Sequence, residues 1–170
     1  APGMADAGKI YVYHGSANGL SPTPAYTAVG QMADAYFGFA VAPAGDVNGD
    51  GYGDVVVGSY RYDNGAAGNA GKVYVFHGGP NGLTGTPANP AFSAVGETAN
   101  DWFSGSVAPA GDVNGDGYSD IIVAAESYAG GQGGGYRGKV YVFHGGPNGL
   151  TGTAASPAYS AVGAGALPRL

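Results

Sequence analysis

The sequence predicts an all-β fold assembled from repeated units of antiparallel strands. Its 170 residues include 35 glycines and 11 prolines, and no segment carries the apolar period of a helix. Thirteen tyrosines and several short β-branched runs are typical of strands. The segment 72–83 returns unchanged at 139–150 and, with changes, at 9–20. This repetition predicts several copies of one structural unit.

Each full repeat is predicted to contain four strands in the same order. The second strand is a β-branched run that follows an Asp-rich loop, and a Gly-rich connection leads from it to the third strand. Four antiparallel strands per repeat of this length are typical of a β-propeller blade. The predicted strands are 36–43, 54–59, 72–77 and 91–95 in one repeat, and 102–109, 120–125, 139–144 and 158–162 in the next.

The repeats predict about two and a half blades, which is an incomplete propeller ring. Propellers need at least about four blades, so we expect the strand near Ile10 to have an unpaired edge and the last blade to lack a neighbour. Missing blades of a longer parent or other copies of the chain would cover these surfaces, and we expect no free monomer. The predicted units are a half blade at 1–30 (third and fourth strands, near Ile10 and Tyr26), blades at 31–96 and 97–163, and a tail at 164–170.

Two nine-residue segments predict two metal sites. The first Asp loop, 46–54, has the sequence D-V-N-G-D-G-Y-G-D, and the second Asp loop, 112–120, has D-V-N-G-D-G-Y-S-D. Carboxylates this close repel one another, and Ca²⁺, a hard cation with oxygen ligands, best removes the repulsion. A simple turn needs only one Asn-Gly or Asp-Gly pair. The predicted ligands are Asp46, Asn48, Asp50, Asp54 and the carbonyl of Tyr52, and in the second loop Asp112, Asn114, Asp116, Asp120 and the carbonyl of Tyr118.

The surroundings of these loops differ from those of an EF-hand. An EF-hand loop lies between helices and ends in a bidentate Glu at position twelve, where this chain has Val57 or Val123. Each Asp loop is instead followed by a strand. Gly51 and Gly117 occupy the sixth position, which needs a positive φ for a sharp turn. We therefore expect two Ca²⁺ per chain, each held between strands.

Composition excludes several classes of function. Six of the twelve acids lie in the Asp loops, so two Ca²⁺ would bring the formal charge from −6 to about −2. Only six Lys and Arg are present, and they are scattered singly along the chain. This charge pattern argues against a nucleic-acid-binding surface. No apolar run approaches the roughly 20 residues of a membrane span. Weak calcium sites of low charge are typical of proteins outside cells, which favours an extracellular location.

The remaining polar and aromatic residues point to binding rather than catalysis. No nucleophile–histidine arrangement or spare carboxylate pair is recognisable. The histidines recur at one strand-end position of each repeat, and the aromatics before the first strands are expected to pack between blades. Tyrosines in connections are candidates for recognition. These sets are His14, His77 and His144; Tyr36, Phe37, Trp102 and Phe103; and Tyr60, Tyr62, Tyr128 and Tyr136.

The chain resembles the FG-GAP repeats of integrin α-subunit propellers and of related bacterial surface proteins. The resemblance rests on Phe37-Gly38, the run V-A-P-A-G-D at 41–46, the Asp loop, the strand after it, and G-K-V-Y-V-F at 71–76. It implies that each Asp loop binds Ca²⁺ between the first two strands of a blade. Two departures concern neighbouring positions: Ser104 replaces a glycine after Phe103, and 58–60 and 124–126 lack the Gly-Ala-Pro of the family.

These observations predict a calcium-stabilised, non-enzymatic propeller module of an extracellular or cell-surface protein. Its expected work is adhesion, recognition or scaffolding, with a protein or a glycan as the ligand class. One alternative is the structural subunit of a head-to-tail extracellular polymer. A second alternative is a fragment of a propeller-based hydrolase or lyase.

Overall fold

The computed structural model describes residues 4–63, 65, 68–129 and 136–164, and within these ranges it contains strands and no helix. Accordingly, no helix there is long and apolar enough to cross a bilayer. The strands are β1 (Lys9–Val12), β2 (Gly15–Ser16), β3 (Gly19–Leu20), β4 (Tyr26–Val29), β5 (Ala40–Gly45), β6 (Asp54–Ser59), β7 (Lys72–Phe76), β8 (Phe92–Val95), β9 (Phe103–Gly111), β10 (Asp120–Ala125), β11 (Lys139–Phe143) and β12 (Tyr159–Val162).

The strands form two four-stranded antiparallel sheets and two smaller ones. The middle sheet has the order β5-β6-β7-β8, and the last sheet has the equivalent order β9-β10-β11-β12. Strands β1 and β4 pair as the half sheet, while β2 and β3 form a separate short hairpin that the sequence did not predict. The all-β, incomplete propeller predicted from the repeats is confirmed.

The middle sheet is buried on both faces because side chains of β7 alternate between two cores. Val73 and Val75 pack in the cluster that contains Ile121 and Phe143 of the last sheet. Tyr74 and Phe76 pack on the other face, in the cluster that contains Ile10 and Ala28 of the half sheet. Since successive strand residues point to opposite faces, one strand joins the two cores, and the sheets stack in the order half, middle, last.

Phe37 and Phe103 pack between sheets, as the sequence predicted. Both are buried, and each meets a tyrosine of a third strand edge-on, Phe37 with Tyr74 at 5.2 Å and Phe103 with Tyr141 at 5.0 Å between ring centroids. The backbone approaches very closely beside them. A Cβ on Gly71, which has a φ of +86°, would lie 2.0 Å from the carbonyl oxygen of Phe103.

The first strand of each full repeat differs from the prediction. The strand predicted at 36–43 begins at Ala40, because Tyr36 and Gly38 have φ values of 54° and 86° and turn the chain. The strand predicted at 102–109 runs from Phe103 to Gly111. Both second strands agree at both ends, the third strands end one residue earlier than predicted, and the fourth strands begin one residue later.

Ser104, which departs from the family pattern, links the middle and last sheets. Its hydroxyl donates to the carbonyl of Lys72 at 2.7 Å and accepts from the amide of Ser59 at 3.0 Å. Ser104 is buried and has a φ of 70°, a conformation that favours glycine. The two hydrogen bonds offset this backbone strain.

Candidate calcium site

Each Asp loop lies between the first and second strands of its sheet, where the sequence placed it. The first Asp loop joins β5 to β6, and the second joins β9 to β10. A register shift adjoins each loop, between Pro43 and Gly45 of β5 in the middle sheet and between Asp120 and Ile121 of β10 in the last sheet. The two candidate sites therefore occupy the same end of neighbouring sheets.

The carboxylate of Asp46 organises the first Asp loop. Its Oδ1 accepts from the amides of Gly49 at 2.7 Å and Asp50 at 3.1 Å, and its Oδ2 accepts from Gly51 at 2.8 Å. Gly49 and Gly51 have φ values of 74° and 85°, so the positive φ predicted for Gly51 is confirmed. The loop wraps tightly around one carboxylate.

The second Asp loop has the same arrangement. Asp112 Oδ1 accepts from Gly115 at 2.7 Å and Asp116 at 3.0 Å, and its Oδ2 accepts from Gly117 at 2.8 Å. The φ of Gly117 is 92°, which confirms the second predicted turn. The agreement between the loops indicates a common local structure dictated by their shared sequence.

The asparagine and the middle aspartate of each loop also contact each other. Asn48 Nδ2 donates to Asp50 Oδ2 at 2.9 Å, and Asp50 Oδ1 accepts from the amide of Tyr52 at 2.9 Å. The first three predicted side-chain ligands are thus joined in one hydrogen-bonded group. The matching contacts of the second loop are Asn114 to Asp116 at 2.8 Å and Tyr118 to Asp116 at 3.0 Å.

Asp54 differs from the other ligands because it is buried at the base of the loop. It is 1% exposed, and its oxygens accept from the amides of Val47 and Gly78, each at 2.8 Å. It closes the loop and also ties it to the segment after β7. Asp120, which is fully buried, makes the matching bonds with Val113 and Gly145, each at 2.8 Å.

The electrostatics of the carboxylates follow from these contacts. The amide of Tyr52 and then Asn48 lower the pKa of Asp50, and hydrogen bonds led by that from Gly117 lower the pKa of Asp112. Burial raises the pKa of Asp54, against the opposing effect of its two amide donors. The one ion pair among the described residues joins Lys139 to Glu97, so no basic side chain in these ranges neutralises a loop aspartate.

The donor set fits a hard cation, although the side chains do not yet converge on one centre. Carboxylate, amide and carbonyl oxygens are the ligands that Ca²⁺ takes in proteins. Within the described ranges, no three acidic or histidine side chains already form a metal-holding group. An ion would therefore draw on Asn48 and the carbonyl of Tyr52 as well, and would replace the hydrogen bond between Asn48 and Asp50.

Two histidines contact the Asp loops, which the sequence did not indicate. Asn48 Nδ2 lies 3.2 Å from His77 Nδ1, and Asn114 Nδ2 lies 3.3 Å from His144 Nδ1. The sequence predicts these histidines only as residues at the end of a strand in each repeat. Their fixed place in each repeat is the signal that could have connected them to the loops.

A cluster of aromatic residues lies in the connections at the opposite ends of the strands. The ring of Tyr60 is 5.6 Å from Tyr36, 4.5 Å from Phe39 and 5.8 Å from Trp102. Arg61 lies over the ring of Tyr36 at 5.6 Å, and Phe39 is 59% exposed. Tyr36 and Trp102 thus belong to this partly exposed cluster, which we call the aromatic surface, and the contact of Trp102 with Tyr60 also joins the last sheet to the middle sheet.

The other connection tyrosines have separate surroundings. Tyr62 and Tyr128 lie beside Lys72 and Lys139, whose ammonium groups are 4.9 and 5.0 Å from the ring centroids. Tyr136 is 77% exposed. Of the four tyrosines predicted to serve recognition, only Tyr60 joins the aromatic surface.

Comparison with known proteins identifies the family. The FG-GAP repeat profile matches residues 37–76 and 103–143, which hold the first three strands of the middle and last sheets. The chain therefore contains two FG-GAP repeats, as the sequence motifs predicted. Both matched segments contain one Asp loop.

The relatives are integrin alpha subunits. Identity is 33% over 128 residues to integrin alpha-E of Mus musculus, covering 73% of this chain and 11% of the relative. It is 36% over 124 residues to integrin alpha-6 of Gallus gallus, covering 71% of this chain and 10% of the relative. Identity is 36% over 132 residues to integrin alpha-PS2 of Drosophila melanogaster, covering 73% of this chain and 9% of the relative.

The chain thus spans about a tenth of the length of these relatives. At that extent the match defines a propeller module of the kind found in cell-surface adhesion proteins. The extracellular or cell-surface location predicted from the sequence is confirmed, because FG-GAP repeats of integrin alpha subunits lie outside the cell.

Proposed function

We propose that the chain is a calcium-stabilised, non-enzymatic propeller module for adhesion or recognition outside the cell. Each Asp loop binds one Ca²⁺. In the first loop the ligands are Asp46, Asn48, Asp50, Asp54 and the carbonyl of Tyr52; in the second they are Asp112, Asn114, Asp116, Asp120 and the carbonyl of Tyr118. Bound there, the ion supplies positive charge that holds the connection between two strands.

The observation that carries this proposal is a buried aspartate at the base of each loop that forms no ion pair with a described residue. Asp54 and Asp120 are at most 1% exposed, and each closes a nine-residue loop that contains two further aspartates. A buried carboxylate is costly unless it is paired or coordinates a metal. Two amide donors offset part of this cost, and a bound cation would offset the rest while screening the repulsion within the loop.

Calcium titration of thermal unfolding tests the proposal. An ion that binds only the folded state stabilises it by about 2.7 kcal/mol at 100 times its dissociation constant. We expect the Tm to rise with Ca²⁺ and to fall again when a chelator is added. The chain with both Asp50→Ala and Asp116→Ala serves as the control and should not respond. If the Tm of the unaltered chain did not change with Ca²⁺, calcium stabilisation would be refuted.

Recognition is the second part of the proposal, and the aromatic surface supports it. Exposed aromatics in connections, beside an arginine, are typical of binding surfaces for proteins and glycans. Phe39 is the most exposed member, so Phe39→Ser should reduce binding without disturbing the core. A solid-phase screen of extracellular-matrix proteins and glycans, using the unaltered chain and this variant, provides the measurement.

We also propose that the two ends of the sheet stack are covered in the working protein. Among the described strands, β1 pairs only with β4 and keeps one free edge. The outer face of the last sheet holds a pocket of about 330 Å³ lined by residues that include Ala124, Val140 and Ala161. Other copies of the chain, or further blades of a longer parent, would cover these surfaces.

A further inference from the structure

The two Asp loops differ at one position, and that position joins them. The eighth residue is Gly53 in the first loop and Ser119 in the second. The amide of Asp46 donates to Ser119 Oγ at 3.2 Å, and the amide of Ser119 donates to the carbonyl of Asp46 at 2.9 Å. A Cβ on Gly53 would meet no atom within 4 Å. Only the second loop therefore uses its eighth side chain to hold a neighbour.

The tyrosine before Ser119 makes a second contact between the loops. The ring of Tyr118 lies against Gly49, where a Cβ would be 2.6 Å from Tyr118 Cε1. Gly49 has a φ of +74° and donates its amide to Asp46 Oδ1. The ring of Tyr118 thus packs against the first loop, and the carbonyl of the same residue is a proposed ligand in the second loop.

A backbone path makes a third connection, between the two buried aspartates. The amide of Val47 donates to Asp54 Oδ2 at 2.8 Å, and the carbonyl of Val47 accepts from Gly146 at 3.0 Å. The adjacent Gly145 donates to Asp120 Oδ1 at 2.8 Å. The segment 145–146, which holds Asp120, therefore also bonds the backbone of Val47, which holds Asp54.

We propose that the two calcium sites are positively coupled and that Ser119 is the positioning residue for the first site. This inference rests on the proposed calcium binding. Tyr118 and Asp120, on either side of Ser119, are ligands of the second ion, so that ion fixes the position of Ser119. Ser119 in turn fixes Asp46, the first ligand of the other site. An ion at the second loop thereby reduces the ordering needed to bind one at the first, and the effect is reciprocal.

Site-resolved calcium titration by NMR tests the coupling. The amides of Gly51 and Gly117, each bonded to the first aspartate of its own loop, report on the two sites separately. Disabling the second loop by Asp116→Ala should weaken binding at the first loop by about five-fold or more. Asp50→Ala should weaken binding at the second loop by the same factor, because equilibrium coupling is reciprocal. Amide spectra in chelator, unchanged outside the altered loop, verify that each variant is folded.

Ser119→Ala identifies the connecting side chain. In this background the effect of Asp116→Ala on the first loop should be smaller, because the hydrogen bond from the amide of Asp46 to Ser119 Oγ is absent. Ser106→Ala, which removes an exposed hydroxyl from β9 of the same sheet, is the matched control and should leave the full effect.

The outcomes separate the coupling from the calcium proposal. Two loops that bind Ca²⁺ with affinities independent of each other, within two-fold, would overturn the coupling and leave calcium binding intact. A full effect that persists in Ser119→Ala would overturn the role of Ser119. If the NMR signals of the Gly51 and Gly117 amides did not change with Ca²⁺, both proposals would be overturned together.

Discussion

Residues of one Asp loop serve two different purposes. Asp50 is exposed and bonds mainly within the loop, to Tyr52 and Asn48. Asp54 is buried and bonds two amides, one of which belongs to Gly78 beyond the loop. The first carboxylate is therefore available to an ion, whereas the second also supports the folded chain without one. Mutations at the two positions should differ accordingly.

Asp50→Ala should lower the Tm in calcium buffer more than Asp63→Ala does. The first change removes a proposed ligand and with it a stabilisation of about 2.7 kcal/mol at 100 times the dissociation constant. Asp63 is exposed and bonds locally to Gly65, where substitutions usually change stability by about 0.5 kcal/mol or less. Thermal unfolding measured with Ca²⁺ and with chelator should show that the difference nearly disappears in chelator. Equal effects in calcium would argue against Asp50 as a ligand.

Asp54→Asn should destabilise the chain even in chelator. The new amide nitrogen would face a backbone donor, so either Val47 or Gly78 would lose its acceptor in a buried place. Leaving such a group unsatisfied costs about 1–3 kcal/mol. Denaturant unfolding in chelator provides the measurement, with Asp50→Asn as the control. If both variants matched the unaltered chain in chelator, the structural role of Asp54 would be refuted.

The sequence revealed the loop residues but not their partners. Spacing alone predicts Asp46, Asn48 and Asp50 as ligands, because they lie within one short turn. His77 and Ser119 contact that loop from 29 and 73 residues away. These contacts depend on how the sheets pair and stack, which a local pattern does not encode.

Strand bounds were predictable where a run of β-branched residues coincides with a buried strand. The β-branched run of β6 is buried on both faces and that of β10 on its inner face, and both strands agree with prediction at both ends. The start of β5 could not be predicted, because Tyr36 has a positive φ that is uncommon for a non-glycine residue. The hairpin of β2 and β3 has two residues per strand, too few to produce an alternating pattern.

Gly71→Ala should destabilise the chain by about 1–3 kcal/mol more than Gly65→Ala. Both glycines have positive φ, +86° and +81°, so the backbone strain of an alanine is similar. A Cβ at Gly71 would lie 2.0 Å from the carbonyl oxygen of Phe103, whereas one at Gly65 would meet no atom within 4 Å. The difference in denaturant unfolding therefore isolates the approach of the two sheets. Equal losses would mean that the sheets separate at little cost.

Across the whole molecule, large exposed apolar side chains concentrate at the two ends of the stack. Tyr11 and Val29 of the half sheet are 52% and 42% exposed, and Tyr159 and Val162 of the last sheet are 60% and 42% exposed. The third strand of the middle sheet, by contrast, packs against a core on each face, and the sheet's large exposed apolar side chain is Val41 of β5, at 55%. The ends therefore have the composition of surfaces that pack against another sheet.

The isolated 170-residue chain should self-associate at micromolar concentration. The free edge of β1 offers unpaired backbone groups beside Tyr11, and natural proteins block such edges with charged side chains, especially lysine. Tyr11→Lys should therefore reduce association, whereas Tyr136→Lys, at an exposed tyrosine outside the sheets, should not. Sedimentation velocity provides the measurement for all three chains. A sharply monomeric unaltered chain, with the β1 amides protected from hydrogen exchange, would contradict the prediction, because it would mean that the chain covers its own edge.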